Sequence, residues 1–223
     1  MNGNDSQAVA VVGVSRRASD AFDAASFGFS PREAEALGPV HRAFLQHARE
    51  AFQDAGGEAG ETWGVYAGGG GDPAGDAVQP ELEAGRFHGM LGGDADYLAT
   101  RVSFKLGLTG PSLTVTGGGA APLAAVHLAC ESLLAGEVDA ALAGGAEGAV
   151  ALRRLGDVLA GERSIRAVIR SSTLHHDGTL GGVDRPGLEE LLRRIRNPAP
   201  RWVVAAASPG GLNARIVLEE PPR

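Results

Sequence analysis

A layered α/β domain is the fold class that the sequence predicts, on three observations. Short apolar runs rich in β-branched residues, such as "AVAVVGV" at Ala8–Val14, read as strands buried on both faces. Segments with apolar residues at helical spacing lie between these runs. The two kinds of segment alternate along the chain, which favours a mostly parallel sheet covered by helices.

Each element follows in order. After the strand at Ala8–Val14, Ser30 can cap a helix, Pro31 suits its first position and Glu33 completes a capping box, so a short helix starts there. Val40, Phe44, Leu45, Ala48 and Phe52 then recur at four- and three-residue spacings, and Gly56 and Gly57 stop this longer amphipathic helix. A strand is expected at Val65–Gly68, followed by a turn-rich stretch with room for one helical turn. Ala95–Leu108 reads as a helix ending near Gly107. Leu113–Thr116 is a strand, "APLAAVHLACESLLAG" a helix, and Ala140–Gly144 and Ala149–Leu155 two more strands. The strand Ile165–Leu174, the helix "GLEELLRRIR" and the strands Trp202–Ala207 and Ala214–Glu219 close the chain. The 223 residues are read as one domain, long enough to bury a sizeable core.

Composition excludes several classes. Hydrophobic residues make up 43% and charged residues 21%, ordinary values for a globular chain rather than a disordered or fibrous one. A net charge of -7, with Lys105 the only lysine, repels phosphate backbones and anionic lipid, and no basic stripe offsets it. Nucleic-acid and membrane partners are therefore not expected. The N-terminal residues lack a basic region before their short apolar run, so a cytoplasmic protein is expected. The single cysteine, Cys130, excludes an internal disulfide and a cysteine metal cluster.

The glycine clusters invite a phosphate reading, which fails. No Gly-Lys-Ser/Thr ending supplies a phosphate-binding lysine. Gly69, Gly71 and Ala74 spell G-x-G-x-x-A, but Asp72 puts a negative charge where a pyrophosphate would lie and Pro73 lacks an amide donor. His41, His47, His88 and His127 are scattered without ligand spacing, so no metal and no cofactor is expected. His175, His176 and Asp177 form a cluster able to supply acid–base chemistry, set against the plainer reading of an exposed turn. Cys130 lies within a helix rather than at its start, as a small core hydrophobe does.

The stretch "DYLATRVSFKLGLTGPSLTVTGGGAAPLAAVHLACESLLAGEVDAALAGGAE" strongly resembles the ketosynthase (beta-ketoacyl synthase) domains of modular polyketide synthases, members of the thiolase-fold condensing enzymes. "FGFSPREAEALGPVHRAFLQHAREAFQDAG", "GVYAG", "IRAVIRSSTLHHDG" and "GGLNARIVLEEPP" resemble further segments of that family in the same order. The resemblance implies a trimmed thiolase-like fold, layered αβαβα, with one near-complete mixed sheet and one reduced sheet. Residues 1–155 correspond to a retained N-terminal half and residues 156–223 to a shortened C-terminal half.

The resemblance also marks losses. The family's nucleophilic cysteine stands at the strand-to-helix junction, where this chain has Gly119. The family's two histidine motifs, Glu-Ala-His-Gly-Thr-Gly-Thr and Lys-Ser-Asn-Ile-Gly-His, do not occur, and Arg215 replaces the histidine of the closing segment. Claisen condensation needs a thiolate to carry the acyl chain and histidines to drive decarboxylation, so condensation is not expected. The expectation is a non-condensing ketosynthase-like protein of a polyketide pathway, binding an acyl chain or acyl carrier protein at Gly117, Gly118, Gly119 and Ala120, or partnering a complete ketosynthase. The alternative is a repurposed enzyme performing non-covalent dehydration, isomerisation or cyclisation with His175, His176 or Asp177, in a pocket enlarged at the glycines. The family dimerises by pairing the strand before the nucleophile, so Pro111–Thr116 implies a homodimer or a heterodimer with a ketosynthase.

Overall fold

The computed structural model describes residues 7–15, 22–58, 60–69, 93–161, 163–180, 183–197 and 200–222. The strands are β1 (Val9–Val14), β2 (Trp63–Gly68), β3 (Ser112–Val115), β4 (Ala140–Gly145), β5 (Gly148–Arg154), β6 (Ala167–His176), β7 (Arg201–Ala207) and β8 (Leu212–Glu219). The helices among the described residues are α1 (Pro31–Ala36), α2 (Pro39–Asp54), α3 (Leu98–Leu106), α4 (Ala121–Leu134), α5 (Leu155–Ala160) and α6 (Leu188–Arg196). The turn-rich region carrying the rest of G-x-G-x-x-A, and His88, lie outside the described residues.

Local chemistry accounts for several boundaries. Ser30 Oγ accepts from the Glu33 amide while the Glu33 carboxylate accepts from the Ser30 amide, so the expected capping box starts α1. Gly107 ends α3 in the left-handed conformation. The helix α5 is a departure from expectation: Leu155 begins a six-residue helix rather than ending a strand, burying Leu155 and Val158.

The strands form one mixed sheet in the order β3-β2-β4-β5-β1-β6-β8-β7. β2 is parallel to β3 and β4, and every other pairing is antiparallel. Two details differ from the expected layering. The N- and C-terminal strand sets are not separate sheets, because β6 joins them: Ala167–Ile169 pair with β1, and Val168–His176 pair with β8 across a register shift between Ile169 and Ser171. Among the described residues there are also four layers rather than five. Helices α2 and α3 cover one face of β1, β2, β4 and β5, and α4 and α6 lie between those strands and β6–β8. The outward face of β6–β8, with Ser171, Thr173, His175, Val203, Ala205 and Arg215, is exposed.

The two cores follow from this layering. On the α2 side Phe44, Leu45, Ala48 and Ala51 pack on Trp63, Val65, Leu142 and Ala151. On the other side α4 buries Leu123, Val126, Ala129 and Leu133 against both strand sets, so it is apolar almost all round. Each fully buried leucine contributes about 1.5–3 kcal/mol. This central helix fixes the position of the glycine turn at its start.

Candidate functional site

The turn between β3 and α4 is built from residues 116 to 120. Gly117 has φ 163 and ψ 35, and Gly118 has φ +56, a left-handed conformation that suits glycine. Gly118–Ala120 then form a single 3₁₀ turn that leads into α4, where Pro122 occupies the first helical turn. Ala120 is fully buried.

The turn is filled by the chain itself. Asp184 Oδ1 accepts a 2.9 Å hydrogen bond from the Gly119 amide. A Cβ placed on Gly119 would lie 2.5 Å from that oxygen and 3.1 Å from Pro186 N. A Cβ on Gly117 would lie 2.5 Å from Leu212 Cδ2, and one on Gly118 would lie 3.2 Å from Ser208 Cβ. The expected enlargement of a pocket at the three glycines is therefore corrected: side chains from the C-terminal residues occupy the space that small residues would have left.

The second cluster is engaged in local bonds. His175 is exposed on β6 opposite Asn213. His176 Nδ1 accepts from the Gly178 amide at 2.9 Å, and its Nε2 donates to the Gly210 carbonyl at 2.7 Å. Both ring nitrogens thus have partners in the neutral form. The Asp177 carboxylate accepts from the Thr179 hydroxyl and amide and from Asn213 Nδ2, and these bonds, the Thr179 hydroxyl first, hold its pKa down at about 2. Such a carboxylate is a weak base and carries no proton near neutral pH. The β7–β8 turn stands between the two clusters: Ser208 packs on Gly118, while Gly210 and Gly211 contact His176.

Other singled-out residues have structural settings. Cys130 is buried, and desolvation pushes its thiol up to about 12. His127 Nδ1 lies 2.8 Å from Ser172 Oγ, tying α4 to β6. His41 Nε2 lies 3.1 Å from the Asp94 carbonyl, and His47 is buried within α2. Among the described residues, no group of three His, Cys, Asp or Glu side chains is placed to hold a metal ion. No helix among them is long and apolar enough to cross a membrane. The residue that sequence reasoning missed is Asp184. It lies 65 positions from Gly119 in a stretch without a motif, and only its place just before Pro186 and α6 marks it.

One edge of the sheet is open. β3 pairs only with β2, so among the described residues its other side has no strand partner. Ser112 and Thr114 bond to Ser103 and Ala99 of α3, which turns the alternate residue Leu113 to the other face. Leu113 is 51% exposed, and Phe104 on α3 is 80% exposed.

Comparison with known proteins agrees with this fold. The family model for the beta-ketoacyl synthase N-terminal domain matches residues 4–173. The chain is 44% identical over 142 residues to a component of the phenolphthiocerol/phthiocerol polyketide synthase of Mycobacterium tuberculosis, covering 56% of this chain and 9% of that protein. It is 35% identical over 223 residues to pikromycin polyketide synthase component PikAIII of Streptomyces venezuelae, covering 78% of this chain and 14% of that one. The chain thus spans a small part of these relatives' length. The ketosynthase from module 1 of the bacillaene synthase of Bacillus amyloliquefaciens superposes with a TM-score of 0.85 at 17% identity, over 99% of this chain and 77% of that one.

Proposed function

Since the chain belongs to the beta-ketoacyl synthase family and is a ketosynthase-like domain of the polyketide synthase type, we propose that it is a non-condensing member that acts by association. Its partner is a chain of the same fold, either a second copy or a complete ketosynthase. Condensation would need a nucleophile at the turn before α4. Gly119 supplies none, and its amide is committed to Asp184.

The observation that carries the reading is the open β3 edge. An unpaired strand offers a row of amides and carbonyls to another chain, and natural proteins seldom leave one uncovered. Two such edges meeting about a twofold axis give a self-complementary ladder and a continuous sheet. Leu113 and Phe104, large and exposed on either side of this edge, gain burial when the edge is covered.

Acyl-chain holding at the glycine turn is less favoured, because Asp184, Leu212 and Ser208 fill the space. Acid–base chemistry by His175, His176 and Asp177 is less favoured too, since His176 and Asp177 are held by loop backbone and by Thr179 and Asn213.

Light scattering on the purified protein, alone and mixed with a complete polyketide ketosynthase, tests the reading. A mass of two copies of this chain is expected in the first sample, or a mixed species holding one copy of this chain and one ketosynthase chain in the second. Leu113→Arg should return it to a single chain with the circular dichroism spectrum unchanged. If this chain runs as a single chain in both samples, with no mixed species in the second, the reading is overturned.

A further inference from the structure

We propose that Val183–Gly187 is a built-in plug, with Asp184 acting as an internal ligand that closes the glycine turn. The inference rests on the reading that Gly119 stands at the nucleophile position. It goes further in naming a second block at that site, one that is independent of the residue at 119.

Three observations carry it. The Asp184 carboxylate takes the Gly119 N–H, a donor that would otherwise stabilise a thiolate or a carbonyl oxygen at this turn. The carboxylate and the Pro186 backbone fill the direction in which a side chain at 119 would project. The segment is also clamped in place. Arg185 exchanges two backbone hydrogen bonds of 2.8 and 2.9 Å with Ala207, which attaches it to the edge strand β7, and Gly187 packs closely on Leu123 and Ala206.

The consequences are steric and electrostatic. A thiol introduced at 119 crowds the Asp184 carboxylate, and the negative charge beside the sulfur disfavours its thiolate. An acyl thioester carbonyl approaching the turn meets an acceptor where it needs a donor. Asp184 is itself exposed, so the plug sits at the mouth of the site rather than beneath it.

The test places a reporter thiol behind the plug. Gly119→Cys is compared with the double variant Gly119→Cys/Asp184→Gly, and both are treated with iodoacetamide and followed by intact mass. The sulfur forms a C–S bond and iodide leaves, so the rate reads thiolate fraction and access together. Cys130, buried, is the internal control and stays unmodified in both. The double variant should react on the order of tenfold faster, as a thiol pKa lower by about one unit implies. Equal rates overturn the plug.

Should Gly119→Cys fail to fold, Asp184→Ala in the otherwise native chain gives the second readout. Hydrogen exchange at the Gly119 amide should accelerate, and unchanged protection overturns the proposal. Light scattering on the same samples separates the two ideas: a chain that never pairs sinks the association reading while leaving the plug intact.

Discussion

Replacing Gly68 by alanine probes the packing that sets the position of the site. Gly68 is the last residue of β2 and lies beneath the first turn of α4. A Cβ there would fall well inside van der Waals distance of the Ala121 and Pro122 backbone. Ordinary carbon–carbon contacts need about 3.5–4.0 Å, so helix or strand must shift by roughly 1 Å. Backbone atoms have no rotamer to change, and α4 is packed from both strand sets, so the shift disturbs two cores at once. The expected cost is about 3 kcal/mol, at the upper end for overpacking. For a chain of this size that lowers Tm by about 6–12 °C.

The neighbouring Gly69 is the control. Its nearest obstacle is Leu98 Cδ2 at 3.0 Å, the far end of a side chain that can give, so Gly69→Ala should cost less than about 1 kcal/mol. Urea unfolding followed by circular dichroism measures both. Equal losses for the two variants, or a loss under about 0.5 kcal/mol for Gly68→Ala, would refute the close-approach argument.

Two further predictions concern α4. Ser172→Ala removes the 2.8 Å partner of His127 and should cost about 1–2 kcal/mol in urea unfolding, without moving the solution mass. Burial keeps the Cys130 thiol protonated up to about 12 in the native state, whereas the unfolded chain releases that proton in the ordinary thiol range. Unfolding then releases a proton, so stability falls as pH rises from the ordinary thiol range towards 12. Cys130→Ala should flatten that alkaline decline in thermal melts taken across the range.

What the sequence made legible was the part written in local pattern. Continuous apolar runs marked β1, β2 and β4, which are buried on both faces, and the Ser30–Glu33 capping box marked α1. Pattern failed where structure depends on distant pairing. β6 runs on to His176 because its backbone continues to pair with β8 as far as Leu212, whatever the polarity of its side chains. The helix α5 is too short to show a period. In the site, counting along the resemblance pointed to Gly119, but the acid bonded to its amide comes from far along the chain. A single aspartate before an arginine and a proline carries no local signal of that contact.

The seam at β6 bears on the order in which the molecule is assembled. Strand β1 finds its ladder partners in β5 and β6, both far along the sequence. Contacts of such sequence separation slow the search for the native state, because loop entropy is lost before pairing returns it. Until β5 and β6 are in place β1 is an apolar segment without its ladder. The exposure of that apolar segment before its partners arrive is a property of this topology rather than of any one residue.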